Sequence, residues 1–302
     1  MTRSPFLVKD ALVRGTTYLR EHGCGQARLD AELLIAEVIQ TDRVHVYMEL
    51  ERPLTASEQD ELRELLVRRG RGEPTAYLCG EREFHGREFF VSSAVLIPRP
   101  ETETVVEVAL HEAAALGKDA GTTVRLLDAG TGSGCIALTL ALECPGLAVT
   151  ALDVSADALA VARANAERYS LGNVVDFREG TWETALRSGE QWDIIVSNPP
   201  YVTAEEWQGL DRDVREFEPE LALIGGEDGL GPYREIVAGA KSGLSRPGIL
   251  VFEVDPRRYD DVASIVLDAF PHAIIGSAVD LTDRKRVLTA RCASLHEPGV
   301  TT

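Results

Sequence analysis

An asparagine, two prolines and a tyrosine follow an apolar run in the stretch IVSNPPYV, residues 195–202. Proline has no N–H for a strand ladder, so the run must end here in a rigid loop fixed by Pro199 and Pro200. An amide or ring amino nitrogen is a poor nucleophile because its lone pair is delocalised. The Asn198 side-chain oxygen and the Pro199 carbonyl could accept hydrogen bonds from both of its N–H groups and orient the lone pair. Tyr201 offers a flat face to pack on the planar group, so the loop predicts a site that acts on an NH2 nitrogen.

A glycine-rich loop lies upstream, in LLDAGTGSGCIAL, residues 126–138. Its G-x-G-x-G spacing differs from the G-x-G-x-x-G of dinucleotide folds, and no Lys-Ser/Thr follows as in a P-loop. Asp153 ends the next strand, 23 residues after Gly130, where an acid can accept hydrogen bonds from ribose hydroxyls. These features suit an adenosine ligand without a pyrophosphate, and we therefore expect S-adenosylmethionine. The loop residues expected to bind it are Gly130, Thr131, Gly132, Ser133 and Gly134.

Trp182 follows the third strand of this region, in GTWETAL. Its ring is expected to flank the adenine, and the alternative is a tryptophan of the core. With a methyl donor bound beside it, the Asn-Pro-Pro-Tyr loop becomes a site for N-methylation. S-adenosylhomocysteine is then the product, and the scheme requires no general base, because the proton can leave to water afterwards.

The elements that position these residues follow from the hydrophobic pattern. From residue 124 onward, apolar strands alternate with helical segments, which is typical of βαβ units and a mostly parallel sheet. Residues 5–71 have helical spacing, with Thr55 or Ser57 as the N-cap of a helix over 57–69. EREFHGREFFVS, residues 81–92, predicts a β-hairpin.

The charge balance bears on the partner. The formal net charge is −18, and residues 1–73 hold 11 basic and 13 acidic side chains, so the other 229 residues carry −16. A segment that acidic would repel a phosphate backbone, and we expect no stable nucleic-acid binding.

Cysteine usage and hydropathy bear on the compartment. The five cysteines form no CxxC pair and have no histidines at ligand spacing. We therefore expect no metal site, no disulfide framework and a cytoplasmic location. No apolar run approaches the roughly 18–20 residues that cross a bilayer, so no membrane association is expected either.

Three stretches together resemble one family. EPTAYLCGEREFHGREFFVSSAVLIPRPETE (73–103), DVREFEPELALIGGEDGLGPYREI (213–236) and the helical DAELLIAEV (30–38) are similar to the HemK/PrmC family, the glutamine methyltransferases of peptide chain release factors. The resemblance covers nearly the whole chain. The Asn-Pro-Pro-Tyr motif alone also occurs in adenine-N6 and guanine-N2 methyltransferases, so the longer stretches make the choice.

The resemblance implies a fold and a target. The fold is a seven-stranded Rossmann-like S-adenosylmethionine-dependent methyltransferase domain (98–295), preceded by a helical substrate-recognition domain (1–73) and a hairpin linker (74–97), with a flexible tail (296–302). The target is the glutamine of a release factor's Gly-Gly-Gln motif, held by Asn198, Pro199, Pro200 and Tyr201. It also implies that Gly130–Gly134, Asp153, Trp182 and Asn198 contact the cofactor.

Other readings remain open. Related enzymes methylate a glutamine of a ribosomal protein, and RPETE (99–103) favours release factors over that target. Arg99, Glu101 and Glu103 could instead be a solvated helix start. An amino methyltransferase of nucleic acid and a non-catalytic binding module are further alternatives, which the acidic charge and the intact motif, respectively, disfavour. Thr181 and Asp255 depart from the family pattern.

Overall fold

The structure is a computed structural model that describes residues 5–116, 123–185, 187, 189–280 and 283–292. The tail expected at 296–302 lies outside these residues. The chain divides into two compact units. The first comprises Met1–Glu81 with Leu210–Glu218, and the second comprises Arg82–Gly209 with Pro219–Thr302.

The first unit is helical. Its N-terminal part contains α1 (Val8–Glu21), α2 (Ala27–Val38), α3 (Arg43–Val46), α4 (Ala56–Gly70) and α5 (Thr75–Cys79). Thr55 is the N-cap of α4, as expected, and forms a capping box with Glu58. The buried carboxylate of Asp30 accepts from Arg69 Nε at 2.9 Å and from Thr75 Oγ1 at 2.7 Å, so its charge is paired rather than isolated.

The second unit carries the sheet and its covering helices. In chain order its elements are β1 (Glu81–Phe84), β2 (Arg87–Phe90), α6 (Glu103–Leu116), β3 (Arg125–Ala129), α7 (Cys135–Glu143), β4 (Ala148–Asp153), α8 (Ala156–Arg168), β5 (Asp176–Glu179), α9 (Trp182–Ala185), β6 (Trp192–Ser197) and α10 (Ala204–Trp207). Helix α11 (Arg212–Phe217) then belongs to the first unit. The chain returns to the second unit for α12 (Gly231–Gly243), β7 (Leu244–Glu253), α13 (Tyr259–Ala269), β8 (Ile274–Val279) and β9 (Lys285–Cys292).

Strands β3 to β9 form one seven-stranded sheet in the order β5-β4-β3-β6-β7-β9-β8. The first five strands in that order run parallel, while β9 is antiparallel to both β7 and β8. The order reverses at β3, whose neighbours are β4 and β6, and such a switch point is where open α/β sheets bind ligands. The expected Rossmann-like fold is confirmed.

Both faces of the sheet are buried, and alternate residues of each strand contribute to opposite cores. Leu126 and Ile194 pack with α6, α7 and α8 on one face, whereas Leu127 and Ile195 pack with α12 and α13 on the other. This period of two explains why the central strands are apolar throughout.

Strands β1 and β2 form the expected separate two-stranded sheet. Asn165 of α8 is fully buried and holds β2 through its side chain, accepting from Phe90 N at 2.6 Å and donating to Phe90 O at 3.0 Å. It also donates to Ser133 O at 2.9 Å, which connects the hairpin to the glycine loop.

Within the described ranges, no helix is long and apolar enough to cross a bilayer.

Candidate active site

A cavity of about 390 Å³ lies at the carboxyl ends of the parallel strands. Its wall contains the residues that directly follow β3, β4, β5 and β6, and this volume is typical of small-molecule sites. The predicted residues in the wall are Gly130, Thr131, Gly132, Ser133, Asp153, Trp182, Asn198, Pro199 and Pro200. The sequence had separated them by up to 70 residues, and the parallel sheet brings them together.

The glycine loop is held against the end of β4. The backbone N–H groups of Gly130 and Thr131 both donate to Leu152 O, at 2.8 and 2.9 Å. Gly130 and Gly132 have φ of +79° and +55°, which side chains rarely adopt, and a Cβ at either would meet no atom within 4 Å. Both glycines therefore leave open space on the cavity side for a ligand to approach the backbone. Gly134 lies outside the wall, where it allows close packing against Leu138.

Asp128, at the end of β3, braces this loop from within the core. Its Oδ2 accepts from Thr131 Oγ1 at 2.7 Å and from Ala137 N at 3.2 Å, while its Oδ1 has no hydrogen-bond partner among the described residues. Complete burial raises the pKa of Asp128 to about 7, because desolvation penalises the charged form more than the two donors favour it.

Asp153 ends β4 and lies in the cavity wall. Its Oδ2 accepts from Gly132 N at 2.8 Å and its Oδ1 from Ser155 N at 2.9 Å. A carboxylate has about four acceptor sites, so Asp153 can position the loop and still accept hydrogen bonds from a diol. Desolvation raises the pKa of Asp153, and the two N–H donors oppose that shift.

Trp182 has a core contact and also reaches the cavity. Its ring packs edge-on against the buried Trp192, with centroids 6.2 Å apart, and it also lines the cavity. Gly239 of α12 permits this position, because a Cβ there would lie 2.2 Å from the Trp182 ring. The ring is thus fixed from behind, while part of it remains available to a ligand.

The amide of Asn198 has a defined orientation. Asn198 Nδ2 donates to Thr102 Oγ1 at 3.2 Å, and Thr102 Oγ1 donates to Glu253 Oε2 at 2.6 Å. With Nδ2 used in this way, the Asn198 oxygen is the acceptor available to a group in the cavity.

Glu253 ends this hydrogen-bond chain and is fully buried at the end of β7. Burial raises the pKa of Glu253 to about 7. The Thr102 hydrogen bond and the charges of Arg286 and Arg99 oppose the rise, and the charge of Glu101 adds to it.

Tyr201 has different surroundings from its neighbours in the motif. It is absent from the described cavity wall and packs against the core formed with α12 and α13. Burial raises the pKa of Tyr201 to about 12, with the charge of Glu253 as the next cause. Its contact with a substrate remains a prediction.

The loop that follows the motif closes back on it. Val202 N donates to Leu223 O at 2.8 Å, and Gly225 N donates to Val202 O at 2.9 Å. Pro219, Leu221 and Ala222 from this loop line the cavity mouth. Leu221 is 60% exposed, so an apolar side chain lies at the entrance.

The RPETE segment contributes to the site through residues of different kinds. Arg99 and Thr102 line the cavity, whereas Glu103 accepts from His85 N at 3.1 Å and so holds the hairpin turn. The two departures from the family pattern also have defined surroundings. Thr181 lines the cavity, and Asp255 accepts from Arg257 N at 2.8 Å as the N-cap of a short 3-10 helix.

Sequence reasoning missed Thr102 and Glu253. A signal for Glu253 was available, because an acid in the apolar run GILVFEV must be buried and needs a donor. No signal in the sequence distinguished Thr102 from the charged residues on either side of it in RPETE. Among the described residues, no cluster of three or more His, Cys, Asp or Glu side chains could hold a metal ion.

Comparisons with known proteins identify the family of the chain. Residues 10–80 match the family described as PrmC N-terminal domain, and residues 113–211 match the methyltransferase small domain. The release factor glutamine methyltransferase of Chlorobaculum tepidum is 40% identical over 92% of this chain and 95% of its own length. The protein of the same name from Bacillus anthracis is 35% identical over 94% and 98%.

Solved structures support the fold. A methyltransferase from Pyrococcus furiosus has a TM-score of 0.50 at 14% identity, covering 70% of this chain and 91% of that one. The hMettl16 catalytic domain, solved in complex with the MAT2A 3′UTR hairpin 1, has a TM-score of 0.56 at 14% identity, covering 93% and 92%. A methyltransferase fold indicates a cofactor of the S-adenosylmethionine type. The chain is a methyltransferase, and it belongs to the release factor glutamine methyltransferase family.

Proposed function

We propose that this enzyme transfers the methyl group of S-adenosylmethionine to the side-chain amide nitrogen of the glutamine in the Gly-Gly-Gln motif of peptide chain release factors. The observation that carries the proposal is the oriented amide of Asn198. Its NH2 group is used by Thr102, so its oxygen is the acceptor offered to the cavity. An acceptor that faces the cavity suits a substrate with an NH2 donor.

The residues present fit the cofactor. Gly130 and Gly132 leave space that a Cβ would fill, Asp153 retains acceptor capacity for ribose hydroxyls, and Trp182 offers an apolar face. When bound, S-adenosylmethionine supplies an electrophilic methyl group. We assign Gly130–Gly134, Asp153, Trp182 and Asn198 to its binding, with Gly134 acting through the packing of the loop against Leu138 rather than from the cavity wall.

The chain activates the acceptor by orientation. The Asn198 oxygen and the Pro199 carbonyl accept the two N–H groups of the glutamine amide, which favours a tetrahedral nitrogen with its lone pair directed at the methyl group. The two acceptors also stabilise positive charge that develops on nitrogen. The amide nitrogen loses its proton to water after the new N–C bond has formed.

The choice of a release factor rests on the relatives and on RPETE (99–103). The curated relatives carry the name release factor glutamine methyltransferase over nearly their full length. The charge of −16 on residues 74–302 opposes a nucleic-acid acceptor. In the domain division that we propose, residues 1–73 recognise the protein substrate, 74–97 form the linker and 98–295 form the methyltransferase domain.

The deciding experiment supplies methyl-labelled S-adenosylmethionine with one of four acceptors. These are a release factor, the same factor with the Gly-Gly-Gln glutamine replaced by alanine, a ribosomal protein and nucleic acid. We expect label in the first acceptor alone. Label in the alanine variant would refute the assigned glutamine, and label in the ribosomal protein or nucleic acid alone would refute the substrate class.

A further inference from the structure

We infer that Thr102 and Glu253 are positioning residues that fix which end of the Asn198 amide faces the cavity, and that they thereby make the site select an amide over a carboxylate. This inference rests on the proposed function, because the selected group is the glutamine amide. Thr102 directly precedes α6 and Glu253 ends β7, so the inference adds two residues from distant segments to the motif that follows β6.

The first step is the direction of the hydrogen bonds. A threonine hydroxyl has one proton, and Thr102 gives it to Glu253 Oε2 at 2.6 Å. Its oxygen can then only accept from Asn198, so the Asn198 atom that lies 3.2 Å away must be the NH2 nitrogen. In its ionised form Glu253 has no proton to donate, so in that form it determines the direction of the whole chain.

The second step is burial. Thr102 is 2% exposed and Glu253 is 3% exposed, so water does not compete for these hydrogen bonds. A free asparagine amide turns over at little cost, because its oxygen and nitrogen have nearly the same shape. Here the turned amide would place two oxygens with no shared proton, Asn198 Oδ1 and Thr102 Oγ1, against each other.

The third step is selectivity. An Asn198 oxygen that faces the cavity pairs with the N–H of a glutamine and repels the oxygens of a glutamate. Sites built for a hydrogen-bonded NH group strongly reject analogues that lack it. If the amide could turn, its NH2 group would pair with a carboxylate, and the distinction between glutamine and glutamate would weaken.

The kinetic test compares Thr102→Val with Thr102→Ser, which keeps the hydroxyl. We expect Thr102→Val to lower kcat about 10- to 100-fold, as misoriented catalytic groups do, with KM for S-adenosylmethionine unchanged within about twofold. Thr102→Ser should recover most of the loss. Thr139→Val is the matched control, because Thr139 is buried in α7 with a hydroxyl that has no partner among the described residues.

A double-mutant cycle separates positioning from a general structural effect. In an Asn198→Ala background, Thr102→Val should cost less than about threefold further in kcat, because it acts through Asn198. An equal fold-reduction in kcat by Thr102→Val in the wild-type and Asn198→Ala backgrounds would overturn the inference. So would a kcat for Thr102→Val within twofold of the Thr139→Val control.

Selectivity is measured by competition with a release factor whose motif carries glutamate in place of glutamine. Glu253→Met removes the acceptor that orients Thr102, and the preference for glutamine over glutamate should fall about tenfold in that variant and in Thr102→Val. Glu253→Gln keeps an acceptor oxygen and should retain the preference. An undiminished preference in Glu253→Met would contradict the role given to Glu253.

A spectroscopic readout keeps the inference distinct from the proposed function. The side-chain amide resonances of Asn198, assigned through Asn198→Ala in 15N-labelled protein, should shift in Thr102→Val and not in Thr139→Val. If the wild-type enzyme methylates no release factor, the proposed function fails, while this shift still tests the hydrogen-bond chain. An unshifted amide in Thr102→Val would refute the chain whatever the substrate.

Discussion

Asp128→Asn should make the stability of the second unit less dependent on pH. The variant keeps an oxygen for the two donors, Thr131 Oγ1 and Ala137 N, and places its NH2 group where Oδ1 has no partner. The shape of the site is preserved and the buried charge is removed. The unpaired NH2 adds a cost of about 1–3 kcal/mol, but that cost does not vary with pH.

The sign follows from the direction of the pKa shift. Burial raises the pKa of Asp128 from 3.8 to about 7, so between these values the folded protein holds a proton that the unfolded chain has released. Stability therefore falls as pH rises through this window. Three pH units correspond to about 4 kcal/mol in full, of which about 3 kcal/mol is lost between pH 5 and pH 8.

The assay is urea unfolding at pH 5 and pH 8, followed by tryptophan fluorescence. All three tryptophans (Trp182, Trp192 and Trp207) belong to the second unit, so the signal reports that unit. Relative to wild type, Asp128→Asn should gain about 3 kcal/mol between the two pH values. Asp268→Asn makes the same chemical change at an exposed position of α13 and should gain nothing. Parallel pH dependences for Asp128→Asn and wild type would refute the reasoning.

Three further outcomes are expected. Asn198→Ala should lower kcat at least 100-fold and weaken cofactor binding far less than that, whereas Asp153→Ala should weaken cofactor binding at least tenfold by calorimetry. The reverse pattern would exchange the two roles. Gly239→Ala should displace the Trp182 ring, which should change the tryptophan fluorescence and weaken cofactor binding several-fold. An unchanged emission spectrum would contradict the close contact between Gly239 and Trp182. Burial raises the pKa of Glu253 to about 7, so kcat should rise with pH through that value as the carboxyl ionises. Glu253→Gln should flatten this rise. An identical pH profile of kcat in both proteins would exclude Glu253 as the source of the rise.

The sequence was sufficient for the parts of the site that depend on topology. Once the strands were known to be parallel, Gly130, Asp153, Trp182 and Asn198 had to converge, because each lies at or just after the carboxyl end of a strand, at the same edge of the sheet. The elements themselves could also be predicted, since the short apolar runs of the strands differ in length and in flanking residues from the longer helical segments.

Side-chain pairings between distant segments were not readable in this way. Asn198 and Thr102 are 96 positions apart, and Thr102 and Glu253 are 151 apart. These two hydrogen bonds depend on the backbone conformation just before α6 and on the register of β7, and a hydrophobic period determines neither. The core contacts of Tyr201 were unpredictable for a related reason, because a Pro-Pro turn breaks the alternation that assigns faces along β6.

The stretch 213–236, one of the three that resemble the family, contains a boundary between the two units that no change of composition indicates. Its first residues belong to the helical unit, and some of its later residues, such as Pro219 and Leu221, line the cavity of the second unit.

That division has a consequence for how the protein can be taken apart and recombined. Within the helical unit, Arg69 Nη2 lies 3.8 Å from Asp213 Oδ2, and a Cβ at Gly72 would lie 3.4 Å from the Phe217 ring. A truncation that removes residues 1–73 therefore strips α11 of its partners as well as any recognition surface. A chimera between relatives that exchanges only the N-terminal segment would pair α11 with a foreign bundle. The first unit consists of two sequence segments, 1–81 and 210–218, so a chimera that exchanges this unit between relatives must transfer both segments.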